Sequence, residues 1–179
     1  DAGDTKTVSG VAFGATAGTV GSGLAGTYGT LTLNADGSYS YLANKAAAEA
    51  LGTGQTATEQ FTYTMRDTAG VTSTSTITFT ITGTNDAPVA VADVGTATED
   101  VTLSATAATG VLANDTDIDT GDTKAVSGVA FGATAGTVGS GLAGTYGTLT
   151  LNADGSYSYL ANKAAAEALG AGQTATEQF

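Results

Sequence analysis

The sequence predicts an all-β fold of tandem antiparallel β-sandwiches with one short helix per repeat. Three observations carry this. Residues 1–61 return as residues 119–179 with only three mismatches (Ala2 against Thr120, Thr7 against Ala125, Thr53 against Ala171), giving a period of 118 residues. A fixed period marks repeated structural units, and this one has the size of an independent domain rather than of a solenoid coil. Apolar residues recur at every second position in several runs, which is the period of a half-buried strand. Turn residues separate those runs, and short strands between Gly-rich turns argue for a sandwich. A bead of this length is long enough to bury a single core.

Along the chain, residues 30–33 alternate Thr with Leu, and Asn34, Ala35, Asp36 and Gly37 then supply turn chemistry. Residues 38–42 alternate Ser with Tyr39 and Tyr41, completing a hairpin signature. Residues 45–51 are alanine-rich, with Asn44 placed as an N-cap and Gly52 as a stop, so a two-turn helix is expected there and again at 163–169. Its expected role is to carry the chain from one sheet to the other. Residues 59–66 contain Phe61 and Tyr63, residues 67–70 form a turn, and residues 71–84 place Ile77, Phe79 and Ile81 at period two. The intervening Thr residues suit a solvated pleated face. The core face is then Ile, Phe, Leu and Tyr.

The segment Gly83-Thr84-Asn85-Asp86-Ala87-Pro88 holds the only proline and follows the longest strand-like run. Such clusters mark junctions. The expected organisation is one sandwich repeat at 1–84 lacking its N-terminal strands, a linker at 85–88, and the next repeat at 89–179 lacking its C-terminal strands. Each part-repeat would expose sheet edges in isolation, so the sequence is expected to be a piece of a longer array.

Composition excludes several classes. The chain has no cysteine, histidine or tryptophan, and 17 acidic residues against 5 basic ones give a net charge of −12. No disulfide framework or Cys-based zinc site is available. A charge of this sign disfavours nucleic acid, whose binders carry basic patches. No run approaches the length of a membrane span, so no membrane insertion is expected in this segment. Without histidine neither a Ser-His-Asp triad nor imidazole-ligated metal catalysis is possible. Paired carboxylates remain as glycosidase chemistry, but the acids fall on turns and junctions, and the chain is not expected to be an enzyme.

The carboxylates are unevenly spread. Eight of the 17 fall within residues 86–122 (Asp86, Asp93, Glu99, Asp100, Asp115, Asp117, Asp119 and Asp122), a stretch with no basic residue. Asp115, Asp117 and Asp119 alternate, so an extended chain points all three the same way. Hard oxygens so arranged suit Ca2+, which takes 6–8 oxygen ligands. The pattern is not an EF-hand loop, since Gly121 comes one place late and Val126 stands where the bidentate Glu would be. A solvated acidic face is the competing reading, because two like charges about 6.5 Å apart in water repel by only about 0.6 kcal/mol. Burial between packed beads would tip the balance toward a cation.

A family resemblance rests on three runs. Residues 29–41 (Gly-Thr-Leu-Thr-Leu-Asn-Ala-Asp-Gly-Ser-Tyr-Ser-Tyr), Phe61-Thr62-Tyr63-Thr64 with Asp67, and residues 83–90 resemble the VCBS repeats of giant bacterial surface proteins. Thr98-Glu99-Asp100 through Val111-Leu112-Ala113-Asn114-Asp115-Thr116-Asp117 is similar to the cadherin-like repeats of the same proteins. The resemblance implies an Ig/cadherin-like sandwich in the extension region of an RTX-type adhesin, exported by a type I system and displayed on the bacterial surface. It further implies Ca2+ at the junctions between adjacent repeats of the same chain. By similarity Asn85 and Asp86 match the linker motif, Glu99 and Asp100 an early acidic pair, Asp115 and Asp117 the loop motif, and Asp67 an acidic turn. Asp119 joins the candidate set through the alternation, and it and Asp122 extend the loop beyond the family's motif.

Two other classes stay open at this point. Tyr28, Tyr39 and Tyr41 would serve a carbohydrate- or protein-binding module if they formed a surface stripe. Self-association into a filament or surface layer by strand addition is the other.

Overall fold

A computed structural model describes residues 4–179 of the chain. The chain divides into two compact units, Asp1–Asp86 with Ile118–Asp122, and Ala87–Asp117 with Thr123–Phe179.

In the first unit the strands are β1 (Thr7–Phe13), β2 (Thr16–Gly18), β3 (Gly23–Ala25), β4 (Gly29–Leu33), β5 (Tyr39–Ala43), β6 (Thr56–Arg66) and β7 (Thr72–Thr82), with helix α1 (Ala46–Glu49) between β5 and β6. They form a four-stranded sheet in the order β2-β1-β6-β7 and a three-stranded sheet β3-β4-β5, all antiparallel. The inward faces meet in a core of Val11, Leu24, Leu31, Leu33 and Phe61, with Val8, Phe13, Tyr41, Tyr63, Ile77 and Phe79 packed against it. Phe61 is fully buried. Phe13 lies 4.9 Å from it, Phe79 lies 6.1 Å from it edge-on, and Tyr41 stacks on Phe79 at 4.1 Å. Period two sets this packing: β6 and β7 pair over 11 residues with Phe61 opposite Ile77 and Ala57 opposite Ile81, and directly opposed residues share a face.

Helix α1 links the two sheets, as expected, but it is a single turn. Lys45 rather than Asn44 occupies the cap position, in extended conformation and without a side-chain cap bond. The Asn44 side chain instead accepts a bond from the Thr30 hydroxyl at 3.5 Å. At the other end Leu51 N–H donates three residues back to Ala48 O at 3.1 Å, a tightened closure that ends the helix before Gly52.

The second unit has β8 (Thr102–Ala105), β9 (Val129–Phe131), β10 (Thr134–Gly136), β11 (Gly141–Ala143), β12 (Thr148–Leu151), β13 (Tyr157–Leu160) and helix α2 (Ala164–Glu167). Its sheets run β10-β9 and β11-β12-β13-β8. Leu142, Leu151, Ala161 and Ala166 are its buried apolar residues. The hairpin β12–β13 repeats β4–β5, with Leu151 opposite Tyr157 where Leu33 stands opposite Tyr39.

Candidate functional site

The acidic residues singled out in the sequence fall into several local arrangements. Asp67 closes the β6–β7 turn: its Oδ1 accepts Val71 N–H at 2.8 Å and its own N–H donates to Val71 O at 3.0 Å. Asn85 Nδ2 donates to Asp86 O at 2.6 Å, and Asp86 N–H donates to Asp119 Oδ2 at 2.8 Å. Glu99 and Asp100 are exposed. Asp100 adopts φ 61, a conformation that non-Gly residues rarely take, and its N–H donates to Ala161 O at 2.9 Å. Asp115 Oδ1 accepts Val91 N–H at 2.7 Å, while its main-chain oxygen accepts the Lys124 ammonium.

Asp117, Asp119 and Asp122 come together. One carboxylate oxygen from each lies within 4.8 Å of the other two, all from one short stretch of continuous chain. Gly121, at φ 92, lets that stretch turn, and Asp122 N–H donates to Asp119 O at 3.3 Å. Asp119 is 3% exposed. Within the first unit the loop is fastened by Thr120 N–H to Ala50 O and by Gln55 Nε2 to Thr120 O, both at 3.1 Å. Gly52 packs against Asp119, where a Cβ would lie 3.6 Å from that of the aspartate.

This donor set fits a hard cation. Two oxygens bound to one Ca2+ at 2.3–2.6 Å are at most about 5 Å apart, and the cluster meets that limit. Three carboxylates exceed the charge of a divalent ion, and main-chain oxygens and water are the natural remaining ligands. Of the residues the sequence proposed, Asp117 and Asp119 belong to the cluster. Asp86 reaches it through its amide. Among the described residues, Asp67, Asn85, Glu99, Asp100 and Asp115 are not part of it. Asp122, to which the sequence reading gave no role, is the third member. Its signal was available: a Gly directly before it permits a turn that brings residue i+3 back to i.

A second arrangement was not foreseen. Glu59, 6% exposed, accepts the N–H of Thr27 at 2.8 Å and of Tyr28 at 3.2 Å on Oε2, and the Tyr41 hydroxyl on Oε1. Gly26 lies directly beneath the carboxylate, and a Cβ there would sit 2.7 Å from Glu59 Cδ. Burial pushes the Tyr41 phenol well above its usual range, and the bond to the Glu59 carboxylate and its charge add to the effect. The phenol therefore stays a donor at any physiological pH. The second unit repeats the arrangement at Glu177, with Thr145 N–H at 2.6 Å, Tyr146 N–H at 3.1 Å and the Tyr159 hydroxyl. Its polar atoms are all engaged with the fold, which makes it a structural latch. On the surface, Asp36 accepts the Ser38 hydroxyl at 2.6 Å and the Ser38 N–H at 2.9 Å. The Ser38 hydroxyl and then its amide hold the Asp36 carboxyl below the usual range.

A two-layer antiparallel sandwich with a single-turn crossover and an acidic loop is now in view, and the model of one family, the bacterial cadherin-like domain, matches residues 1–83 and again 85–179. The chain belongs to that family. No curated protein matches it. As a bacterial cadherin-like chain it is an extracellular repeat of structural and adhesive type, built on a sandwich that is typically non-catalytic. Among the described residues, no helix is long and apolar enough to cross a membrane.

Proposed function

We propose that these cadherin-like repeats form part of the extender of a bacterial surface adhesin, in which Ca2+ held by Asp117, Asp119 and Asp122 stiffens the array. The array holds a distal adhesive domain away from the cell, for surface attachment or biofilm formation. Export by a type I system and membership of the RTX adhesins belong to the same reading, through the resemblance of the repeat motifs.

The observation that carries the calcium part is the carboxylate cluster with Asp119 buried in it. At 4.8 Å two carboxylates repel by about 0.9 kcal/mol in water, and by several times that where the effective dielectric falls. A divalent cation converts that repulsion into attraction. A binding module has less support, because Tyr41 faces inward onto Phe79 and Glu59 and so leaves the stripe the sequence suggested.

Titration calorimetry with CaCl2 tests the site. Ligand at about 100 times its Kd stabilises the folded state by about 2.7 kcal/mol, so the melting temperature is expected to rise by several degrees. Asp119→Asn is expected to abolish both the heat and the shift. Wild-type protein that shows neither at millimolar Ca2+ would refute the assignment.

A further inference from the structure

The structure assigns Asp36-Gly37 and Asp154-Gly155 as the sites where this chain converts aspartate to isoaspartate, each gated by the hydroxyl of the serine that follows the glycine. These are the only Asp-Gly steps in the sequence, which has no Asn-Gly step. The inference concerns the hairpin turns and is independent of the acidic loop.

The chemistry needs only the chain and water. The Gly37 nitrogen attacks Asp36 Cγ, the amide proton and the carboxyl hydroxyl leave as water, and a five-membered imide closes. Water then opens the ring at the main-chain carbonyl. The bond between Asp36 C and Gly37 N breaks, and the backbone continues through Cγ with one extra methylene. Glycine makes closure easy, because it has no Cβ to crowd the attacking nitrogen. The reactive partner is the neutral carboxyl, since a carboxylate has no hydroxyl to expel and its charge repels the nucleophile.

The turn works against each requirement. Asp36 Oδ1 accepts both the Ser38 hydroxyl at 2.6 Å and the Ser38 N–H at 2.9 Å, so the carboxylate is held on the residue beyond Gly37. Hydrogen bonds to the charged form favour it, and the hydroxyl is the larger of the two Ser38 causes that hold this carboxyl below its usual range. Asn34 Nδ2 donates to Ser38 Oγ at 2.9 Å, which leaves the hydroxyl proton for the aspartate. Gly37 N–H donates to Asn34 O at 3.0 Å, so the proton of the nucleophile is engaged as well. The second turn repeats all of these bonds. Ser156 Oγ and N donate to Asp154 Oδ1 at 2.6 and 3.0 Å, Asn152 Nδ2 to Ser156 Oγ at 3.0 Å, and Gly155 N–H to Asn152 O at 3.0 Å.

Conversion has a structural cost. Leu33 and Tyr39 are the opposed residues that close the β4–β5 ladder around this turn, and the same register sets Tyr41 opposite Leu31. An extra main-chain methylene at Asp36 lengthens the turn and loosens the hairpin that carries the Tyr41 hydroxyl to Glu59. Asp36 and Ser38 are exposed, so water reaches the site, and the serine hydroxyl can be removed without touching the core.

Trypsin reads the two sites separately. Cleavage after Lys6 and Lys45 gives residues 7–45, and after Lys124 and Lys163 gives residues 125–163. These peptides differ only in Thr7 against Ala125, and each has a single acidic residue, Asp36 or Asp154. An endoprotease that cuts before aspartate but not before isoaspartate then scores conversion in full chain aged at physiological pH and temperature. Ser38→Ala is expected to speed conversion at Asp36 about tenfold, the size of one hydrogen bond to a charged group, with Asp154 of the same chain unchanged from wild type. Ser38→Thr, which keeps a hydroxyl, is expected to return Asp36 to near the wild-type rate. Amide exchange at Gly37 is expected to change far less than conversion does. Ser38→Ala at the wild-type rate, or Ser38→Thr as fast as Ser38→Ala, would overturn the gate, and so would a rise in Gly37 exchange equal to the rise in conversion, which means a loosened turn. Isoaspartate that accumulates in wild-type chain at other aspartates ahead of these two would overturn the sites. Should Ser38→Ala fail to fold, Ser156→Ala read at Asp154 decides in its place. None of these outcomes touches the calcium titration, so the two readings fail separately.

Discussion

Tyr41 donates its hydroxyl proton to the Glu59 carboxylate, which also accepts the amides of Thr27 and Tyr28, and this fixes what a change at either residue does. Tyr41→Phe keeps the stacking on Phe79 but removes one bond to a buried charge. The expected loss is about 1.5–3 kcal/mol, read as a lower urea midpoint with unchanged slope. The same bond sets an alkaline limit. Tyr41 and Tyr159 hold their protons in the folded chain beyond the pH at which an unfolded tyrosine, near 10, releases them. Above about pH 10 the folded state then binds more protons than the unfolded one, and stability falls as pH rises toward the folded values. Below pH 10 this contribution is fully present. Urea midpoints measured between pH 9 and 12 should decline, and less steeply in Tyr41→Phe. Glu59 itself was legible by parity, because it stands two residues before Phe61 and so on the core face. Its character as an acid hid it, since an acidic residue in an alternating strand reads first as solvated. Asp36 was easier: Asn34-Ala35-Asp36-Gly37 is turn chemistry on its face, and the bonds to Ser38 follow from it.

At the scale of the element, the hairpins were legible wherever period two runs unbroken. β4 and β5 pair from Gly29↔Ala43 to Leu33↔Tyr39, around a turn whose Gly37 takes φ 87. β1 was not legible, and its register shows why. Val8 pairs with Met65 but Gly10 with Thr64, so Ser9 is the extra residue of a bulge and the alternation changes phase inside a seven-residue strand. β2 and β3 are three residues each, too short for a period to register. The helix was placed correctly but drawn too long, because alanine content speaks for propensity and not for where the chain must turn back to β6. Two glycines of the β4–β5 hairpin separate space from conformation. A Cβ on Gly29 would meet Leu42 O and the Tyr41 ring at 2.5 Å, while one on Gly37 meets nothing within 4 Å. Gly37→Ala is therefore expected to cost only the left-handed backbone term, about 1–2 kcal/mol. Gly29→Ala must displace backbone and a core ring, and is expected at or beyond the upper end of the about 1–3 kcal/mol of an overpacked site. Denaturant midpoints rank the two, and Gly29→Ala as mild as Gly37→Ala would mean that the strands yield where the packing says they cannot.

At the scale of the whole molecule, the repeat shows how far sequence alone determines a strand. Residues 56–61 and 174–179 are both Thr-Ala-Thr-Glu-Gln-Phe, yet the first six begin β6 and the last six form no ladder. Glu177 nonetheless keeps the amide and tyrosine bonds of Glu59, reaching back 32, 31 and 18 residues, so the latch needs only the hairpin it reaches back to, and the strand its pairing partners. The acidic loop follows the same division. Alternating aspartates were visible in the sequence, but the grouping of Asp117 and Asp119 with Asp122 depends on the turn at Gly121. If that group binds Ca2+ and the array is an extender, polypeptides of increasing repeat number should show a scattering dimension that grows in proportion to repeat number at saturating Ca2+. Growth should become weaker after chelation, toward the square-root dependence of flexibly linked bodies. Asp119→Asn, placed at the equivalent position of every repeat, should behave as chelated protein even with Ca2+ present. Sodium chloride separates a site from a charge effect: at 1 M the screening length is about 3 Å, enough to quench repulsion among solvated acids without filling a divalent site. A profile restored by salt alone would leave the aspartates as a solvated face. Restoration by Ca2+ at matched ionic strength, lost in Asp119→Asn, requires an ion bound where the carboxylates converge.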